Sequence, residues 1–126
     1  MTQFETYTSE ESESRFYRGE SFLEMANIAR NNAYDKPEAT MLVLASLAFI
    51  DVLSMHKIGK KPVWSKLFDA NDIAASVPDD VAEHAQIIAE VKPDALLETW
   101  DEVGVDNETL RTAAFVLHNE ALELVE

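Results

Sequence analysis

Apolar residues recur at helical spacing along nearly the whole chain, and no stretch alternates them with the period of two that a half-buried strand needs. Thr8 and Glu11 stand three apart, the spacing of a capping box, and place a helix start near Ser9. From there to about Asn32, Phe16, Leu23 and Ala26, with Phe22 and Ala29 beside them, form one apolar stripe. Tyr34-Asp35-Lys36 reads as a turn, and Pro37 suits a first helical position. A second helix is expected over residues 37–58. Its stretch MLVLASLAFIDVLSMHKI is apolar nearly all round, which marks it as the central, buried helix, with Leu44 in its core. Gly59 is a left-handed stop after it. His56 and Lys57 fall in the last turn, where positive charge meets the negative end of the helix dipole.

The second half divides at its prolines and capping residues. A shorter segment, Val63 to about Ala75, carries Trp64, Leu67, Phe68 and Ile73. Ser76 and Asp79 have capping-box spacing with Pro78 just inside, ahead of a face made by Val81, Ala85, Ile88 and Val91. Pro93 is read as opening another short helix with Leu96, Leu97, Trp100 and Val103, ended by Gly104. Asp106 or Asn107 caps a last helix, whose core stripe is Leu110, Ala114, Leu117, Ala121 and Leu124. The expected fold is all-α: a single-domain bundle of about five to six helices around 37–58. Residues 1–8 form a flexible N-terminal tail and 9–126 one helical domain.

Composition narrows the class. With 126 residues and 47% hydrophobic content, the chain is long enough for one real core. It has no cysteine, so disulfides, Cys-ligated zinc and a cysteine nucleophile are excluded. A reducing, cytoplasmic setting is expected. The first twenty residues are polar and acidic, unlike a secretory leader. The apolar run near Met41 is interrupted by Asp51 and reads as too short for a bilayer, so no membrane contact is expected.

The net charge of −14 is uneven: −3 over residues 1–20, +2 over 21–66 and −13 over 67–126. Such a balance disfavours direct binding to nucleic-acid phosphates and favours either a protein partner with a basic surface or, as the plainer reading, a solvated acidic surface that serves solubility. Asp94, Asp101 and Glu102 are the candidate contacts for it. The cluster Lys57, Lys60, Lys61 with Trp64 has the composition of a small nucleic-acid patch, but a solvated turn is the favoured reading.

Asp51 stands out because it lies where the central helix should be covered. A buried, unpaired carboxylate is expensive, so it pairs or shifts its pKa. Arg15, Arg18 or Arg30 on the first helix is the expected partner; a dimer contact and an active-site acid are the alternatives. Asp80 and His84, four apart on a helix, could ligate a metal, but a helix start accounts for the aspartates. No metal or other cofactor is expected.

The order of these elements resembles a known family. FLEMANIA (22–29), the turn at Tyr34, the alanine-rich helix ending AFIDVL (48–53), the turn Gly59–Lys61, the stretch Lys92–Trp100 and the capped DNETLRTAAFVLHNEALELVE together are similar to HEPN domains. These are small helical bundles of toxin–antitoxin and antiphage systems. The resemblance spans most of residues 14–126. It implies a dimer and, in active members, a metal-independent endoribonuclease that uses an arginine followed by four to six residues and a histidine. Arg111 and His118 have that spacing and are the candidate catalytic residues. Seven residues are almost two helical turns, so both lie on one stripe, with Phe115 between them. Arginine could hold a phosphate and histidine move a proton. The pair departs from the family pattern. Thr112 follows the arginine, and the overall register would put the motif nearer Lys92–Trp100, where neither residue occurs. The plainer reading pairs Arg111 with Glu108 or an acid of a neighbouring helix and sets His118 at the core edge.

Two functions are thus expected. The first is a HEPN-like regulatory or partner-binding module, a homodimer, that does not itself cut RNA. The second is a small acidic inhibitor, a phage anti-defence or nucleic-acid-mimic protein, that blocks a basic groove.

Overall fold

One helix is buried along most of its length, and the others cover it. The computed structural model describes residues 4–6, 8–64, 70–96 and 105–125, with side chains throughout except at 9 and 92–96. The elements are β1 (Phe4–Glu5), α1 (Ser9–Asn31), α2 (Asp35–Ile58), β2 (Lys61–Pro62), α3 (Ala70–Ala75), a 3₁₀ turn at Asp79–Val81, α4 (Ala82–Leu96) and α5 (Asn107–Val125). The fold is an all-α bundle. Helices α1, α4 and α5 pack around α2, and α3 packs on α4.

Leu42, Val43, Phe49, Ile50, Val52 and Leu53 of α2 are fully buried. Leu44, expected in the core, is only half-buried, because its side chain falls on the narrow strip of α2 left partly open. By length and composition α2 reaches the measure of a membrane-spanning helix, so it is not too short, as the sequence suggested. Yet 78% of its most apolar window is buried inside the bundle. Gly59 ends it in the left-handed conformation (φ 72°), and its N–H donates to Met55 O at 3.0 Å. At the start of α1, Thr8 is the N-cap and its N–H donates to Glu11 Oε1 at 3.3 Å.

Three expectations about elements change. Phe4 and Glu5 do not belong to a loose tail: they pair antiparallel with Pro62 and Lys61. Two residues per strand are too few to show any alternation in sequence. Ser76 does not cap the next helix; its hydroxyl donates back to Ile73 O, and the chain enters α4 through the 3₁₀ turn after Pro78. Pro93 does not open a helix but lies inside α4, near its end, where the ladder has few hydrogen bonds left to lose. The helix expected up to Gly104 otherwise falls outside the described residues, as do Leu67 and Phe68.

Helices α1 and α2 approach closely at Gly19. A Cβ there would lie 2.5 Å from Phe49 Cε1. The Phe49 ring cannot retreat, because the rings of Phe16 and His118 sit 5.7 and 5.2 Å away. Gly19→Ala gains about 1 kcal/mol in helix propensity but loses about 1–3 kcal/mol to overpacking. The expected result is a net loss of stability in wild type and a net gain in a Phe49→Leu background. Urea denaturation of the four proteins checks it; the same sign in both backgrounds would show that the ring is not the obstacle.

Candidate functional site

The first turn of α5 is fixed by its own sequence. Asp106 Oδ1 accepts the Thr109 N–H at 2.8 Å, and that bond holds the Asp106 carboxyl below its ordinary pKa. Asn107 Nδ2 donates to Asp35 O at 2.8 Å and to Glu38 Oε1 at 3.2 Å, tying the start of α5 to the start of α2. One turn on, Arg111 completes the cluster. Its Nη2 donates to Glu38 Oε2 at 2.7 Å and its Nη1 to Asn27 Oδ1 of α1 at 2.6 Å. Both Arg111 and Glu38 are buried, and Arg111 Nε has no partner among the described residues. The guanidinium also lies 5.9 Å from the centre of the Phe115 ring. The acid that Arg111 meets therefore belongs to a neighbouring helix. Glu108, the other expected partner, lies 3.8 Å from Arg30 instead.

His118 sits two turns further along α5, in a different setting. Its ring stacks on Phe16 at 5.4 Å and meets Phe49 edge-on. Its Nε2 lies 3.1 Å from Glu20 Oε2 of α1, and its Nδ1 3.2 Å from Asn119 Oδ1. Arg111 and His118 share a stripe of α5, as their spacing requires. That stripe faces α1 and α2, and each side chain is held there by separate partners.

Asp51 is the most perturbed acid among the described residues. It is buried, and Trp64 Nε1–H donates to its Oδ1 at 2.8 Å. Arg15 Nη1 of α1 lies 3.5 Å from Oδ2, so Arg15, rather than Arg18 or Arg30, is its basic partner. Burial raises the Asp51 pKa to about 7; the Trp64 bond and the positive charges of Arg15 and Lys61 pull it down, and Glu5 pushes it up. The buried Lys61 joins this end of the bundle by pairing with Glu11 and, at 3.6 Å, with Glu5. That pairing holds Glu11 below its ordinary pKa. Alongside, Ser12 Oγ and His56 Nε2 are 3.1 Å apart.

Of the lysine–tryptophan patch, Lys61 and Trp64 are engaged inward, while Lys57 and Lys60 are exposed. Lys61 is buried, Trp64 holds Asp51, and Lys57 Nζ donates to Val77 O at 2.8 Å and lies 3.8 Å from Asp79. Among the described residues no three His, Asp or Glu side chains converge as a metal site, so Asp80 and His84 gain no third ligand. Asp101 and Glu102 lie outside the described residues, as does the side chain of Asp94. Glu38, Asn27, Glu20 and Ser12 were not singled out in the sequence. Each acts across 44 to 98 residues of chain, and no local spacing announces such a contact.

Removing Arg111 alone leaves the Glu38 charge buried. Arg111→Ala is expected to cost about 3–5 kcal/mol, and the double change Arg111→Met with Glu38→Met much less. Chemical denaturation checks it; equal losses would show that the pair is wet. For Asp51 the sign is the reverse of a usual carboxylate. Its folded pKa is raised, so wild type loses stability as pH climbs from the unfolded value toward about 7 and stays flat above. Asp51→Asn keeps an acceptor for Trp64 and has no such loss. It should match wild type near about pH 4.5 and exceed it by on the order of 1–3 kcal/mol near about pH 8. A difference that does not vary with pH would show that the carboxylate is well solvated.

Comparison of the chain with family models, with curated proteins and with solved structures finds no match.

Proposed function

We propose that this chain is a HEPN-like partner-binding module of a toxin–antitoxin or antiphage-type system. It acts through its acidic surface on a basic protein and does not cleave RNA itself. The observation that carries this reading is the engagement of Arg111. A phosphate-binding arginine must present free donors to solvent, and this one spends two of its nitrogens on Glu38 and Asn27 in a buried cluster. His118 is likewise turned to Glu20 and the Phe16 ring. A homodimer is part of the reading. Tyr17 and Ile28, eleven residues apart and so on one stripe of α1, are more than half exposed.

The acidic-inhibitor reading has its own support. Burial and the negative charges of Asp80 and Glu123 raise the pKa of Glu120, so acids of the 3₁₀ turn and of α5 act on one another at this end of the bundle.

Purified protein is expected to leave a structured RNA pool intact, and affinity capture from native lysate to recover a protein with a basic surface whose binding weakens as salt rises. RNA cleavage that disappears in both Arg111→Lys and His118→Ala would replace this reading with the endoribonuclease.

A further inference from the structure

A pocket of about 310 Å³ opens where the last turns of α2 meet the Pro78 turn and α5. Leu53, His56, Lys57, Pro78 and Leu124 line it, and Leu124, expected in the core from its position on the α5 stripe, is instead 39% exposed. The wall is mostly hydrocarbon. Lys57 contributes its stem, because its ammonium is turned to Val77 O and Asp79, and His56 Nε2 is turned to Ser12. The rim has the opposite character. Asp79 and Asp80 follow Pro78 directly and are exposed; Glu120 and Glu123 flank Leu124 on α5. Asp80 and Glu123 both repel the Glu120 charge, which places the two sets of acids close together in space. The C-terminal end of α2, negative by its dipole, points to the same place.

We infer that this pocket is the docking point for a basic segment of the partner protein, with one apolar side chain in the hole and lysines or arginines on the ring of acids. Charge selects the occupant. Lys57 offsets Asp79, but an acidic peptide would still meet Asp80, Glu120 and Glu123, whereas a basic one relieves their mutual repulsion. The hole provides what charge lacks, namely register: an apolar anchor fixes which residue of the segment sits against Leu124, above the buried Leu53. The inference rests on the partner-binding reading and sharpens it from a surface to a position.

Two labelled peptides separate the two ideas, one of repeating Lys-Lys-Leu-Leu units and one with serine for each leucine. Fluorescence anisotropy with the full chain is expected to show both binding more weakly as salt rises, the leucine peptide about tenfold tighter. That advantage should vanish in Leu124→Ser, an exposed position whose change leaves the core intact, while Glu120→Gln with Glu123→Gln weakens both peptides. Amide shifts on adding the leucine peptide should centre on Leu53, His56 and Leu124. Equal binding of the two peptides, or a leucine advantage that survives Leu124→Ser, would overturn the pocket and leave the acidic-surface reading standing. No binding of either peptide would remove both.

Discussion

A helix as apolar as α2 has to be covered on nearly every side, and that requirement sets the whole bundle. It also creates a difficulty, because α2 carries two acids, Glu38 and Asp51, that the cover buries. Each is answered by an arginine from a different helix: Arg111 of α5 meets Glu38, and Arg15 of α1 approaches Asp51. Thirteen residues separate the acids, roughly 20 Å along the helix. Buried pairs of this kind add little net stability, since desolvation consumes most of the attraction, but a slipped register strands a charge. Hydrophobic burial drives α1 and α5 onto α2, and the two pairs fix where along it they stop.

The two acids are not equivalent. Glu38 receives a short bond from the charged Arg111, at 2.7 Å, and a longer one from Asn107, at 3.2 Å. Asp51 has an uncharged donor in Trp64 and a more distant guanidinium, so burial outweighs its partners and its pKa rises. The register at the Glu38 end is thus held by charge. At the Asp51 end it depends more on the indole bond and on Lys61, which ties β2 to Glu5 and Glu11.

This division explains how much was legible in the sequence. Signals that act within one turn were readable: Thr8 and Asp106 as caps, Gly59 as a stop, and the uniform apolarity of α2. The partner class of Asp51 was also readable, because a buried carboxylate must find a base, and Arg15 was among the three proposed. What sequence spacing could not supply was which face of a helix meets which neighbour. Leu44 and Leu124 carry the right periodicity, yet one is half-buried and the other exposed. The same limit governs Arg111 and His118. Seven residues guarantee a shared stripe, but a stripe turned to α1 and α2 serves packing, and the pairing of Arg111 with Glu38 spans 73 residues of chain.

Internal pairing also decides what the surface presents. Arg15, Arg30, Lys57, Lys61 and Arg111 each meet an acid within the described structure. Arg30–Glu108 and Lys57–Asp79 lie at the surface, whereas Arg15, Lys61 and Arg111 are drawn to acids packed against α2 or α1. The acids that face outward are unevenly spread. Asp80 of the 3₁₀ turn and Glu123 near the end of α5 both act on Glu120. The exposed stripe of α1 carries Tyr17 and Ile28 with Arg18 beside them. The homodimer proposed above would draw on that stripe, where the exposed Glu24 also lies, and the proposed basic partner on the acid-rimmed end. Repulsion between two acidic copies is smallest where apolar side chains outnumber acids, and attraction for a basic protein is greatest where acids gather.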